Sequence, residues 1–260
     1  SSNTAAGDGA LFSNIDGNFN TASGINALFS NISGNNNTAS GRGALQQNTT
    51  GNYNTASGIQ ALYKNIDGNS NTASGMNALF SNTTGDYNTA IGYFADVVSG
   101  ALTNATAIGY GAVVSASNKI RLGNTNILVI EGQVAFSNAS DRRLKKDITN
   151  TRYGLQTILE LVPVDYQLKS NDLSQVGFIA QDLKPIVPEA VTGIEGDLEK
   201  GETLGVTYTT LIPVLTKAIQ EQQALIEAQN KINQEQQALI EAQNKVIQQL
   251  QKDMLILMQK

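Results

Sequence analysis

The sequence predicts three parts. The first is a mainly β N-terminal part built as a β-solenoid of 17-residue repeats. A small α+β domain and a C-terminal coiled-coil helix follow. Three observations predict this. A pentapeptide returns at a fixed interval through residue 109. Charge and proline gather in the rest of the chain. A dodecapeptide near the C terminus recurs at a two-heptad shift. The expected boundaries are 1–117 for the solenoid, 118–139 for a β neck, 140–210 for the α+β domain and 211–260 for the helix.

"NTAAG" begins at Asn3, "NTASG" at Asn20, Asn37, Asn54 and Asn71, and "NTAIG" at Asn88; a degenerate "ATAIG" begins at Ala105. Each unit also carries an apolar pair, as in Ala27-Leu28 and Ala44-Leu45. An asparagine follows three residues after the leucine, as in Asn31 and Asn48, and a glycine three further on, as in Gly34 and Gly51. Units that repeat this regularly cannot bury an apolar face alone and stack on their neighbours. Glycine and asparagine tolerate positive φ and should supply the turns. Successive coils should stack about 4.8 Å apart, with asparagines bonding amide to amide along the stack. The expected core is thin: alanine, leucine and one Phe, Tyr or Ile per coil. So thin a solenoid should pack with further copies of the chain. The more apolar "AIGYFADVV" and "AIGYGAVV" should close it as a cap.

"NKIRLGNTNILVIEGQVAFSN" is rich in Ile, Val and Leu with Gly-Asn and Glu-Gly breaks, and reads as two or three short strands. Beyond Ser140 the composition changes, and all four prolines lie there. "YGLQTILELVPVDYQL" predicts a short helix from about Gly154, ended before Pro163, then a strand. "VGFIAQDLKPIVPEAV" predicts a buried strand turning into a short helix. "LGVTYTTLIPVLTKAIQ" predicts a strand feeding a long helix.

In that helix "QEQQALIEAQNK" occurs at 220–231 and again at 234–245. One heptad position holds Ile212, Ile219, Ile226, Asn233, Ile240, Ile247 and Met254. Its partner position carries Leu215, Gln222, Gln229, Gln236, Gln243, Leu250 and Leu257. The adjoining column of Leu225, Ile232, Leu239 and Val246 is apolar too. A seam this wide favours three or more strands, and the Gln and Asn layers fix register and number at a cost in stability.

Composition excludes much chemistry. With no cysteine and no histidine, disulfides, thiolate metal sites, Cys-His pairs, Ser-His-Asp triads and most zinc sites are out. No cofactor or metal is expected. The net charge of −5 disfavours nucleic acid as a partner, and no apolar run is long enough to span a bilayer. The five aspartates of the repeats are scattered and form no carboxylate pair for glycoside hydrolysis.

The segment Ser140–Gln222 resembles the C-terminal intramolecular chaperone domain of phage endosialidases and tail fibres, an autoproteolytic peptidase family. The matching stretches are "SDRRLKKDI", "LVPVDYQL", "VGFIAQDLKPIVPEAV" and "LGVTYTTLIPVLTKAI", with the coiled coil after them. "AIGYFA" and "AIGYGA" are similar to head repeats of trimeric autotransporter adhesins, which typically use repeats shorter than seventeen. The first resemblance implies a homotrimer whose chaperone domain templates folding of the upstream β-fibre and then cuts itself away. It implies Ser140 as nucleophile, Lys145 as its general base and Ala139–Ser140 as the scissile bond, in a single turnover. It also implies a trimeric solenoid and a trimeric coiled coil.

The residues around Ser140 bear on that chemistry. A lysine replaces the missing histidine as base only when neutral, and burial or nearby positive charge favours that form. Arg142, Arg143 and Lys146 supply like charge beside Lys145, whereas Asp141 acts the other way. Residues five apart lie on opposite faces of a strand, and about 140° apart around a helix. Either the chain turns between Ser140 and Lys145, or Lys145 of one subunit serves Ser140 of another.

The expected role is the end of a surface or virion fibre, outside the cell, with any export signal upstream of Ser1. The alternative is an adhesive tip whose repeats, or whose retained chaperone domain, bind a cell-surface glycan or protein receptor.

Overall fold

A computed structural model describes residues 2–134, 137–169, 172–198 and 202–258 of the chain. Two compact units are present, the first centred on Ser1–Phe136 and the second on Ser137–Gln167, Ser174–Gly193 and Leu204–Lys260.

The first unit is a β-solenoid of about seven turns. Its strands are β1 (Thr4–Ala6), β2 (Thr21–Ser23), β3 (Thr38–Ser40), β4 (Thr55–Ser57), β5 (Thr72–Ser74), β6 (Thr89–Ile91), β7 (Asp96–Val97), β8 (Thr106–Ile108), β9 (Val113–Val114) and β10 (Ile120–Leu122). Eight of them form one sheet in the order β1-β2-β3-β4-β5-β6-β8-β10, and β7 pairs with β9. All these pairs are parallel and in register: Ala22 lies opposite Ala39, and Ala39 opposite Ala56. The last step is shorter, because Ala107 faces Arg121, fourteen residues on.

In β2 to β5 the central alanine points inward and the flanking Thr and Ser face out. Gly24 then turns the chain at φ 136, and a Cβ there would lie 2.6 Å from the Gly41 carbonyl oxygen of the next coil. The interior holds the predicted Ala-Leu pairs, fully buried from Ala27-Leu28 to Ala78-Leu79. It also holds two columns of asparagine. In one, each Nδ2 donates to the Oδ1 of the preceding coil: Asn31 to Asn14 at 2.7 Å, then Asn48 to Asn31, Asn65 to Asn48 and Asn82 to Asn65, each at 2.8 Å. In the other, the Oδ1 of Asn20, Asn37 and Asn54 each accepts a backbone N–H from the next coil at 2.9 Å.

Two expectations are corrected here. The Phe, Tyr or Ile of each coil is not core: Phe19, Ile32, Tyr53, Ile66 and Tyr87 are exposed. Leucine, alanine and two asparagines already fill so narrow a coil. Nor do Gly and Asn supply all the turns. Leu11, Leu28, Leu45, Leu62 and Leu79 adopt φ between 49 and 53, and Phe19, Tyr53 and Tyr87 adopt 58 to 60. A left-handed leucine costs about 1–2 kcal/mol. It persists because the stack over-determines it: Leu28 is fully buried and its N–H donates to the Ala44 carbonyl at 3.0 Å.

The neck also differs from expectation. Only Ile120–Leu122 forms a strand there, and it joins the solenoid sheet as its last member. Among the described residues, 124–134 form no strand, and 135–136 lie outside them. Ile127, Leu128, Val129 and Ile130 are exposed, and among the described residues no strand pairs with this segment.

The second unit is small and mixed. Helix α1 (Leu155–Glu160) precedes an antiparallel hairpin of β11 (Val164–Gln167) and β12 (Ser174–Gly177). Helix α2 (Ala180–Leu183) follows, then β13 (Val191–Gly193), antiparallel to β14 (Leu204–Val206), and helix α3 (Leu211–Met258). Leu183, Val187, Ala190 and Leu211 form the core, with Tyr153, Leu161, Phe178 and Val206 packed on it. The expected buried strand is instead exposed from Ser174 to Val176 and buried only at Gly177. Its ribbon has two strands, and among the described residues no further strand joins it. Helix α3 is 48 residues long, about 72 Å at the α-helical rise.

Candidate functional site

Asp141 opens the junction. Its carboxylate accepts the Arg143 N–H at 2.8 Å and caps a single turn of 3-10 helix, Arg142–Leu144. The turn closes with Leu144 N–H donating to the Asp141 carbonyl at 3.0 Å and Lys145 N–H to that of Arg142 at 3.1 Å. The chain therefore turns between Ser140 and Lys145, and Lys145 Nζ donates to Ser140 Oγ at 2.6 Å. A hydroxyl and an amine five residues apart meet within one chain.

The acidic neighbour is engaged elsewhere. Arg143 grips Asp141 through Nε at 3.1 Å and Nη2 at 2.6 Å. These bonds hold the Asp141 carboxyl below the usual carboxylate range, and its carboxylate is engaged by Arg143 rather than by Lys145. Arg142 and Lys146 are exposed. So are Ala139, Ser140 and Lys145, so the chain alone supplies like charge around the pair but no burial.

Two further arrangements had not been expected. Glu221 of α3 accepts the Leu155 N–H at 2.8 Å and so caps the start of α1. Gly154 leaves room for that carboxylate, which a Cβ would strike. Gly154 has no side chain to cap the helix, and nothing local in the sequence points to Glu221 as the acceptor. Tyr153 OH donates to Glu189 at 2.7 Å, and Arg152 donates to both the Tyr153 hydroxyl, at 2.6 Å, and Glu189, at 3.1 Å. Thirty-six residues separate Tyr153 from Glu189, and nothing local in the sequence marks that pairing.

Residues 140–192 match the family model for the chaperone of endosialidase. The matched stretch runs from Ser140 to Thr192 in β13, and the solenoid of 17-residue repeats precedes it in the sequence. It takes in "SDRRLKKDI", "LVPVDYQL" and "VGFIAQDLKPIVPEAV", and stops short of "LGVTYTTLIPVLTKAI". No curated protein and no solved structure matches the chain. A match to this chaperone family model together with a fibre-like β-solenoid in the same chain is consistent with a fibre and chaperone role. Among the described residues, no helix is long and apolar enough to cross a membrane.

Proposed function

We propose that this chain is the end of a homotrimeric surface or phage-type fibre, an adhesin or tail-fibre tip lying outside the cell or on a virion. In it the region from Ser140 onward is an intramolecular chaperone. Three copies join through α3 as a coiled coil and template the folding of the solenoid.

The observation that carries this reading is the state of α3. Along its length the apolar seam lies open: Leu225 is 61% exposed and Ile226 47%, and Ile232, Leu239, Ile240, Val246, Ile247 and Leu250 are exposed as well. A single helix in water does not keep such a stripe unpartnered. The four-residue core of the second unit is also too small to hold a domain by itself, so association supports its fold. The width of the seam favours three strands over two.

The same reading gives Ser140 and Lys145 a role. Once neutral, Lys145 Nζ takes the proton of Ser140 Oγ along their 2.6 Å contact. Oγ bonds to the Ala139 carbonyl carbon, the Ala139–Ser140 C–N bond breaks, and the proton passes to the leaving amine. Water then hydrolyses the ester, giving an Ala139 carboxylate and Ser140 as a new N-terminus. The attack is intramolecular, so proximity lowers the barrier. Packing of three subunits around the exposed junction would supply the burial that one chain lacks, and so couple cutting to assembly.

A mass measurement on the full chain tests the assembly. The expected value is three times the 27.6 kDa chain, or three times each fragment's mass after cutting. A monomer would overturn the proposal. Denaturing electrophoresis tests the cut: wild type should release a fragment ending at Ala139, and Ser140→Ala should not. If neither releases it, the dyad reading fails and the chaperone reading stands.

A further inference from the structure

Six coils place one residue each in a single outward column, alternating aromatic and polar: Phe19, Asn36, Tyr53, Ser70, Tyr87 and Asn104. The three rings are 63%, 65% and 63% exposed. They recur every second coil, about 9.6 Å apart at the parallel interstrand spacing. From Asn36 onward, each backbone in the column is pinned to the coil before it. The N–H of Asn36, Tyr53, Ser70 and Tyr87 donates to the carbonyl of Asn18, Asn35, Asn52 and Asn69 at 2.9–3.0 Å. The rings therefore stand on a rigid, evenly ruled frame. The next residue, such as Asn54, is fully buried, and the one after it, such as Thr55, is exposed again.

We propose that this column binds an extended, uncharged β-linked polysaccharide, each ring stacking on every second sugar. In such a chain alternate sugars are flipped, so one sugar face returns once per disaccharide, at a rise close to the two-coil spacing. Aromatic faces pack on the C–H surface of a pyranose, while the Asn and Ser between them and the threonines alongside meet its hydroxyls. A protein partner fits less well. Protein hot spots cluster in a desolvated patch, whereas these rings are separated by polar residues. A polyanionic glycan fits less well too. The repeats carry five aspartates against one arginine and one lysine, and Asp86 directly precedes Tyr87. The binding does not depend on the proposed self-cleavage.

The column supplies its own control. Asn36 and Asn104 already occupy the same left-handed turn, so Phe19→Asn, Tyr53→Asn and Tyr87→Asn remove rings without adding backbone strain. Titration calorimetry on the full chain would use cellohexaose and chitohexaose, with maltohexaose and an oligosialic acid as controls. One or both β-linked hexasaccharides should bind and the controls should not. Tyr53→Asn should weaken binding about ten-fold, and the triple variant should abolish it while keeping the wild-type mass and melting temperature. Absence of binding by both β-linked probes would overturn the proposal, as would unchanged binding by the triple variant. A changed oligomeric mass in the triple variant would overturn it as well, by assigning the column to packing between copies.

Discussion

Replacing Asn48 with alanine should loosen the solenoid far more than replacing Asn14, although both belong to one column. Asn48 is fully buried. Its Nδ2 donates to Asn31 Oδ1 at 2.8 Å and to the Gly51 carbonyl at 3.0 Å, and its Oδ1 accepts from Asn65 Nδ2 at 2.8 Å. Truncation removes all three bonds and leaves Asn31 Oδ1 buried without a donor. The Gly51 carbonyl keeps a partner, because Asn37 Nδ2 also donates to it at 2.8 Å. At about 1 kcal/mol per bond, with the orphaned acceptor added, the cost is about 3–4 kcal/mol. Asn14 ends the column and is only half-buried. It donates to the Gly17 carbonyl and accepts from Asn31 Nδ2, and water can replace both, so the loss there is about 1 kcal/mol. Amide hydrogen exchange over peptides spanning residues 38–74 reads the difference directly. Asn48→Ala should accelerate exchange by about several hundred-fold, and Asn14→Ala by less than about ten-fold. Asn48→Asp should be worse still at neutral pH, since a carboxylate cannot donate to Asn31 or Gly51, and should recover in acid. If the two alanine variants exchange alike, the asparagine column is ornament and the Ala-Leu core alone holds the coils.

Three other predictions follow from charge and packing. The backbone N–H of Leu155 holds the Glu221 carboxyl below its ordinary value. Its support of α1 should be full above the usual carboxylate range and lost as pH falls through the folded value; exchange at α1 should rise in acid for wild type and show no such pH step in Glu221→Ala. Burial pushes Asp96 up, against hydrogen bonds from Val97 and Ser81 and the charge of Lys64. A raised acid favours the fold at low pH and loses that advantage as pH rises through the folded value. Asp96→Asn keeps an acceptor for the Val97 and Ser81 N–H groups, so it should melt higher than wild type at pH 7 and alike in strong acid. Gln222→Leu with Gln229→Leu should raise the melting temperature of the assembly but broaden its mass distribution, because the polar layers specify number; a single unchanged mass would sink that account.

The solenoid was legible because its signal is collective. Seventeen-residue spacing, the Ala-Leu pair and the asparagines all pointed to stacked coils, and β2 to β5 stand where "NTASG" stands. The aromatics misled because hydrophobicity alone assigns them inward, while interior volume is set by the coil's circumference. Left-handed leucine was invisible for a related reason: residue preference forbids it, and only contact with the next coil compels it. At the junction, the family resemblance implied Ser140 and Lys145, and their five-residue spacing required a turn or a second subunit. The turn itself depends on Asp141 capping Arg143. Glu221 was beyond reach because its partner, Leu155, lies sixty-six residues away.

The regularity that makes the solenoid readable also leaves its folding underdetermined. Coils with identical "NTASG" strands and identical asparagine columns can pair one coil out of step with almost no loss of contacts inside the array. Every coil also places non-glycine residues at positive φ, so a first coil carries that strain before a neighbour exists to offset it. Nucleation is therefore costly and register nearly degenerate. Both difficulties are answered at the C-terminal end of the array. The fourteen-residue step from Ala107 to Arg121 occurs once among the described strand pairs and differs from the seventeen-residue steps before it, so it gives the array one end that cannot slip by a coil unnoticed. In the proposed trimer the glutamine and asparagine layers of α3 align three chains before any coil forms. From an aligned start each coil is templated by the last, and addition of the next needs only local closure of seventeen residues. A cut at Ala139–Ser140 after that point removes the aligning device without touching any bond between coils, since the ladders that hold the solenoid lie wholly upstream of it.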